Sequence, residues 1–317
     1  MVLPMVVLAT LIAINAVLIA LLLQSQRKIT AEPAAQLRST GTSEAQRLPS
    51  SPAQDSPSVS QSPSTPSTPT PVQKVAVPTR LLVATSKTNA WRATVGDCKT
   101  PGRVERSTDG GKSWKRAVND TLSPIMGLEV ESNGNLYAVG GAGDDCALYY
   151  IAYSKDGAIA ARTDQPQGVW SRNPRKPDQI QGPGFARATP CKSRHVLGLA
   201  ALNDSQALVV CMGGSVIVTS NSGRSWKKAD QLVGSMAVAA GGGRYWVAGQ
   251  GKTCNGIAIQ SFSLTGGKPS RGDRRCATNL TLTPGRIAID VSGKAIWLWA
   301  GDDVHVSTDR GRTWKAQ

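Results

Sequence analysis

The sequence predicts an all-β fold, a β-propeller of five or six blades, from three observations. An eight-residue motif occurs three times, apolar segments of strand length recur between its copies, and the repeating unit is about 40 residues long. Each unit contains three short strands before a turn and a fourth strand after it, which is the strand count of a propeller blade. A β-sandwich with chance repeats is the alternative to this interpretation.

The repeated motif places a hydroxyl side chain, an Asp or Asn, a Gly and a Trp at fixed offsets. The polar residues and the glycine are typical of a tight turn with local side-chain-to-backbone hydrogen bonds. The Trp then supplies a large apolar anchor for the strand that follows. The three copies contain Ser107, Asp109, Gly111 and Trp114; Thr219, Asn221, Gly223 and Trp226; and Ser307, Asp309, Gly311 and Trp314.

This motif resembles the Asp-box, or BNR repeat, S-x-D-x-G-x-[ST]-W. In Asp-box propellers the turn joins the third and fourth strands on the face opposite the usual ligand site. The resemblance therefore implies that the twelve box residues are structural. Over roughly residues 80–317 the spacing of strand, turn and box also resembles photosystem II assembly-factor-like propellers, which are non-enzymatic scaffolds. The second resemblance concerns architecture, and a photosynthetic role does not follow from it.

The number of blades is less clearly defined by the repeats than the fold itself. Five units are recognisable, of which three end in a complete motif and two in degenerate copies at residues 154–157 and 263–267. The region from about residue 162 to 195 is long enough for a degenerate sixth blade. We interpret it mainly as an insertion.

The N-terminal segment predicts a membrane anchor. Its first 23 residues contain no charge, and only Pro4, Thr10 and Asn15 interrupt the apolar run. At about 1.5 Å per residue such a helix spans roughly 34 Å, enough to cross a bilayer. The run is longer than a secretory signal requires, and no small-residue cleavage pattern follows it. We predict a transmembrane signal-anchor helix over residues 1–24, with a cleaved signal peptide and a buried helix as alternatives.

Residues 25–78 are rich in Ser, Thr and Pro and contain almost no large apolar side chain. Such a segment cannot offset the entropy of ordering by burial, and its prolines favour extended conformations. We therefore predict a disordered stalk at residues 25–78 and a folded head, the propeller, at residues 79–317.

Two features of the sequence disagree about the location of the head. Arg27 and Lys28 follow the apolar run and no basic residue precedes it, which by the positive-inside tendency places the head in the cytoplasm. The six cysteines and the long stalk are instead typical of an oxidising exterior. Because two charges decide orientation only weakly, we expect a single-pass protein of the cell membrane with the head on the extracytoplasmic side.

The six cysteines are expected to form structural bridges. Four lie at or just after the second strand of successive units, and two border a fourth strand or the link after it. Bridges between these places would brace the face opposite the boxes. Of the fifteen pairings that six cysteines allow, we predict Cys98–Cys146, Cys191–Cys211 and Cys254–Cys276.

The head is strongly basic. Removing the five basic and three acidic residues of positions 1–78 from the totals of 36 and 21 leaves 31 basic and 18 acidic residues, a net charge of +13. This charge favours an anionic glycan, a cell-wall polymer, lipid head groups or a protein as partner, whereas nucleic acid is disfavoured for an exported head. A basic surface that serves only solubility is the alternative.

Few residues suit catalysis. Sialidases share the Asp-box, but their F/Y-R-I-P segment is absent here, and the pairs Asp144/Asp145 and Asp302/Asp303 are interpreted as turn formers. With two histidines and no Cys-x-x-Cys spacing, we expect no metal and no cofactor. The sequence thus favours a non-catalytic binding or scaffold module. A divergent sialidase-like glycoside hydrolase is the alternative.

The region interpreted as an insertion carries the candidate ligand-binding residues. Its basic side chains are interleaved with two aromatic ones, which together could hold an anionic group or a sugar by charge and stacking. We expect this region on the face opposite the boxes, and a solvated loop that binds nothing is the alternative. The candidates are Trp170, Arg172, Arg175, Lys176, Phe185, Arg187, Lys192 and Arg194.

Overall fold

The computed structural model describes residues 77–117, 122–131, 134–163, 169–265 and 268–317. All of them belong to the second of two compact units, Thr70–Gln317. The predicted membrane helix and the predicted stalk up to residue 76 lie outside the described residues and stay predictions. Within the described ranges, no helix has the length and apolar character needed to cross a membrane.

The described residues form six antiparallel sheets, each made of strands that follow one another in the chain. Blades 1 to 3 consist of β1 (Arg80–Ala84), β2 (Ala90–Thr94), β3 (Arg103–Ser107) and β4 (Lys115–Arg116); β5 (Ile125–Val130), β6 (Leu136–Ala142), β7 (Ala147–Tyr153) and β8 (Ile159–Thr163); and β9 (Ser171–Arg172), β10 (Ile180–Gln181) and β11 (Arg187–Ala188). Blades 4 to 6 consist of β12 (Val196–Ala201), β13 (Ala207–Cys211), β14 (Ser215–Thr219) and β15 (Lys227–Gln231); β16 (Ser235–Gly241), β17 (Arg244–Gln250), β18 (Gly256–Thr265) and β19 (Lys268–Thr278); and β20 (Ile287–Ser292), β21 (Ala295–Ala300), β22 (Asp303–Ser307) and β23 (Lys315–Ala316).

The propeller has six blades, and the interpretation of residues 162–195 as mainly an insertion is wrong. Blade 3 occupies this region with three described strands of two residues each. Strands this short do not show the alternation of apolar and polar residues by which a strand is recognised in a sequence. The turn between β10 and β11 is a 3₁₀ turn (Pro183–Phe185) and lacks the repeated motif.

The repeated motif forms the same turn in blades 1, 4 and 6. In blade 1 the Ser107 hydroxyl accepts the Gly111 N–H at 2.9 Å and donates to Asp109 at 2.8 Å, and the Ser113 N–H donates to the same carboxylate at 3.0 Å. The Ser113 hydroxyl also donates to Asp109 and has the largest effect on it. Together these bonds hold the pKa of Asp109 well below its usual range. In blade 4 Asn221 replaces the aspartate, and its amide donates to Ser225 instead.

The repeated turns and the disulfides lie on opposite faces of the propeller. Each repeated turn bonds to the turn between the first and second strands of its own blade, through Gly110 to Thr88, Ser222 to Ser205 and Arg310 to Lys294. Because successive strands run in opposite directions, the loops between second and third strands must lie at the other end. We call the first end the turn face and the second the disulfide face.

The three predicted disulfides are confirmed. Cys98–Cys146 joins blades 1 and 2, Cys191–Cys211 joins the link before blade 4 to its second strand, and Cys254–Cys276 lies within blade 5. The Cα–Cα distances are 5.5, 5.5 and 5.6 Å, within the usual range. Each bridge stabilises the fold by about 2–4 kcal/mol in the chain-entropy account.

The core of the propeller lies between blades rather than inside them. Strand side chains alternate between the two sides of each sheet, so a blade can pack apolar residues against both neighbours. Buried clusters join blades 1 and 2, 3 and 4, 4 and 5, 5 and 6, and 6 and 1.

The ring closes where blade 6 meets blade 1. The Trp297 indole N–H donates to the Ser86 carbonyl at 2.9 Å, and the Ala84 N–H donates to the Asp290 carboxylate at 2.6 Å. The guanidinium groups of Arg80 and Arg92 lie over the Trp299 ring at 4.2 and 4.8 Å. No blade shares a strand with the other end of the chain among the described sheets. The junction is held by these side chains and by a backbone bond from the Thr79 N–H to the Gly285 carbonyl at 2.8 Å.

Replacing Trp299 by Ala is expected to weaken this junction strongly. The change opens a cavity in the blade 6 to blade 1 cluster and removes the surface on which both guanidinium groups lie, at a cost of about 3–5 kcal/mol. Thermal unfolding followed by near-UV circular dichroism measures the loss. Trp299→Phe keeps an aromatic face and should lose clearly less, whereas equal losses in the two variants would contradict a role for the stacked cations.

Candidate binding channel

The innermost strands of the six blades surround a channel of about 480 Å³. Its wall is formed by β1, β5, β9, β12, β16 and β20 and is mostly aliphatic. This volume lies within the range of small-ligand sites, and apolar walls with a few polar groups are typical of them. The charged residues of the wall are Arg80, Glu129, Arg172, Asp204 and Asp290.

Blade 3 contributes Arg172, one of the two arginines in the channel wall. The loop after β9 reaches the disulfide face, because Asp178 accepts the Val196 N–H at 3.0 Å and Arg175 pairs with Asp145 there. Arg172 ends β9 and therefore lies toward that face. Its side chain is 3 % exposed and has no hydrogen bond or ion pair with any residue that the structure describes.

Burial destabilises the charged form of the Arg172 side chain. Desolvation lowers its pKa to about 10, and the more distant charge of Asp178 opposes this shift. No contact joins Asp178 to the guanidinium; its carboxylate accepts the Val196 N–H and lies 3.0 Å from His195 Nδ1. The protein thus holds a cation inside the channel wall that contacts no carboxylate among the described residues.

The carboxylates of the channel lie toward the turn face. Asp290 is level with the end of β1, because it accepts the Ala84 N–H, and burial raises its pKa to about 7. Glu129 lies near the end of β5 and Asp204 in the turn after β12. Burial raises the pKa of Glu129, and the neighbouring charges of Asp204 and Glu131 raise it further.

Arg80 contributes less to the channel than its position suggests. Its guanidinium stacks on Trp299 and pairs with Asp302 at 3.3 Å, so that it faces the junction between blades 6 and 1. Of the two arginines in the channel wall, Arg172 is therefore the one whose guanidinium has no hydrogen-bond acceptor among the described residues.

The eight predicted ligand-binding residues do not form one surface. Trp170 lines the channel together with Arg172. It is 8 % exposed, contacts the Trp226 ring edge-on at 5.9 Å and donates to the Asn203 carbonyl at 3.1 Å. Arg172 lines the channel and Arg175 pairs with Asp145. Four others, Lys176, Arg187, Lys192 and Arg194, are exposed, and the side chain of Phe185 lies outside the description.

Sequence reasoning did not single out Asp290 or Glu129. Both sit in strands of apolar character, and Asp290 follows Ile287, Ala288 and Ile289. An acidic residue inside such a strand is the signal that could have marked them, because a buried carboxyl needs a structural or functional reason. Among the described residues, no group of three or more His, Cys, Asp or Glu side chains is arranged to hold a metal ion.

Six sheets around one channel define a β-propeller. No family model matches the chain. No curated protein matches it either.

Three solved structures illustrate what the chain is similar to. The six-bladed fucose-recognising lectin of Aleuria aurantia is 10 % identical with a TM-score of 0.46, over 75 % of this chain and 94 % of the lectin. YCF48 bound to D1 peptide is 13 % identical with a TM-score of 0.38, over 78 % and 88 %. A functionally unknown protein from Desulfotomaculum acetoxidans DSM 771 is 11 % identical with a TM-score of 0.45, over 74 % and 84 %. Similarity at this level assigns no ligand to this chain.

The raised pKa of Asp290 predicts a stability that falls with rising pH. The unfolded carboxyl loses its proton near pH 4, whereas the folded one keeps it until about pH 7, so the folded state binds more protons in between. This contribution to stability is complete below pH 4 and is lost by about pH 7. Asp290→Asn should remove the dependence and gain a few kcal/mol on the wild type between pH 4 and pH 8.

Calorimetric unfolding across this pH range measures the difference. Asp144→Asn, at an exposed turn position, is the matched control and should follow the wild type. A constant difference between Asp290→Asn and the wild type at all pH values would contradict the prediction.

Proposed function

We propose that the chain is a membrane-tethered Asp-box β-propeller that acts outside the cytoplasm as a non-catalytic binding module. In this proposal the channel receives an anionic group of a glycan, a polymer or a protein partner. The observation that carries it is Arg172, a guanidinium in the channel wall that pairs with no carboxylate in the part of the chain that the structure describes.

An unpaired buried cation is destabilising on its own, because it has lost its hydration without gaining a partner. The same arrangement favours binding. A carboxylate, sulfate or phosphate that enters the channel meets a guanidinium that is already desolvated and fixed, so little further ordering opposes the contact. The net charge of +13 on residues 79–317 supports the proposal by raising the local concentration of anions.

The proposed location rests on different features. The uncharged N-terminal run and the stalk support a tether, and three disulfides with no free cysteine among the described residues support an oxidising compartment. Thiol-specific mass tagging of the protein from freshly lysed cells tests this. We expect no tag before reduction and six after it, whereas tagging without reduction would contradict the extracytoplasmic location.

Binding should depend on Arg172. The full-length protein in lipid nanodiscs is tested against neutral, carboxylated, sulfated and phosphorylated oligosaccharides and acidic peptides. We expect preference for an anionic class, and a loss of tenfold or more in affinity for Arg172→Gln, since the variant cannot form the charge-assisted pair. The control is Arg224→Gln, an exposed arginine between β14 and β15 of blade 4, which should bind like the wild type.

The folding of Arg172→Gln is checked by its unfolding temperature. Removal of an unpaired buried charge is expected to leave this temperature unchanged or to raise it. Equal anion affinities of the wild type and both variants would contradict the proposed site.

A glycoside hydrolase is the second candidate, and one observation favours it. Asp290 keeps its proton close to neutral pH, as a general acid must, and Glu129 lines the same channel as a second carboxylate. Fluorogenic sialosides and other glycosides are assayed on the same sample. Turnover that disappears in both Asp290→Asn and Glu129→Gln would replace the binding proposal, and lack of turnover together with Arg172-dependent binding would support it.

A further inference from the structure

The channel carries unlike charges on opposite walls. Arg172 belongs to blade 3 and Asp290 to blade 6, and in a ring of six these blades face each other across the axis. Arg172 has no hydrogen-bond partner among the described residues, and Asp290 accepts only backbone N–H groups, from Ala84 and Val291. No ion pair joins the two.

These two groups do not compensate each other by contact. Burial and the charge of Asp178 act on the pKa of Arg172, and burial and two backbone N–H groups act on the pKa of Asp290. The intervening space is part of the 480 Å³ channel, so an occupant of the channel could contact both.

The distribution of charge along the channel limits what this occupant can be. Glu129, Asp204 and Asp290 lie toward the turn face, and Arg172 lies toward the disulfide face. A long polyanion passing through the channel would approach three carboxylates after leaving Arg172, and like charges at short range repel. A polycation would be repelled by Arg172. A molecule with one anionic and one cationic end avoids both.

We infer that the channel binds a small zwitterion, whose anionic group pairs with Arg172 and whose ammonium group pairs with Asp290. This rests on the proposed function, because it assigns the ligand class of the same channel. Glu129 and Asp204 lie on the same half of the channel as Asp290 and make that half favourable for a cation. Arg80 is held by Trp299 and Asp302, so the opposite half offers one free guanidinium and accepts one anionic group.

Linear ω-amino carboxylates of two to eight carbons are the probes, because they vary the separation of the two charges. Each is compared with the alkanoate and the alkylamine of equal length, by saturation-transfer NMR on the full-length protein in nanodiscs. We expect one optimal length that binds at least tenfold more tightly than either singly charged analogue. This factor corresponds to the loss of one charge-assisted pair.

Two variants assign the ends of the ligand. Arg172→Gln should abolish the advantage of the amino carboxylate over the alkylamine, and Asp290→Asn should abolish its advantage over the alkanoate. The matched controls are Arg224→Gln and Asp144→Asn, both at exposed positions, which should keep the wild-type preference.

The outcomes separate the inference from the proposed function. Alkanoates that bind as tightly as amino carboxylates, with loss in Arg172→Gln alone, would overturn the zwitterion and leave the anion site standing. Absence of binding by every probe would overturn the zwitterion, and the oligosaccharide and peptide panel would then decide the anion site by itself. Binding that neither variant changes would overturn both.

Discussion

The junction between blade 6 and blade 1 is the contact on which the rest of the structure depends. Every blade consists of consecutive strands, so no β-ladder among the described sheets ties the two ends of the ring together. The two ends are connected instead by the stacking of Arg80 and Arg92 on Trp299. Hydrogen bonds from Trp297 to Ser86 and from Ala84 to Asp290 add to this contact. If the junction opens, the inner strands no longer surround a channel.

The same junction shapes the electrostatics of the channel. Asp290 accepts the Ala84 N–H across the closure and at the same time lines the channel wall, so ring closure buries a carboxyl that would otherwise be hydrated. This burial destabilises the ionised carboxylate and therefore raises the pKa of Asp290. Burial likewise destabilises the charged form of Arg172 on the opposite blade. Two ionisable groups with strongly shifted pKa values and no ion pair among the described residues are more typical of a binding site than of a structural core.

Much of the fold could be predicted from local patterns. The turn motif depends on bonds within eight residues, so its geometry follows from Ser, Asp and Gly at fixed offsets, and the disulfides followed from where cysteines fall relative to strands. Blade 3 could not be recognised, because two-residue strands lack periodicity. Trp170, expected to hold a ligand, lines the channel and also packs on Trp226 of the next blade, a contact 56 residues away in sequence that no local pattern encodes.

By itself, the sequence determined the all-β repeat, the turns, the cysteine pairs and the basic character of the head, because each depends on short-range spacing or on composition. The tertiary structure decided which charges share the channel. Arg172 and Asp290 are 118 residues apart and belong to strands that never pair, so only the closing of six blades into a ring places them on opposite walls. That neither contacts an oppositely charged side chain among the described residues is likewise a property of the closed ring, since it depends on which side chains the other blades bring near.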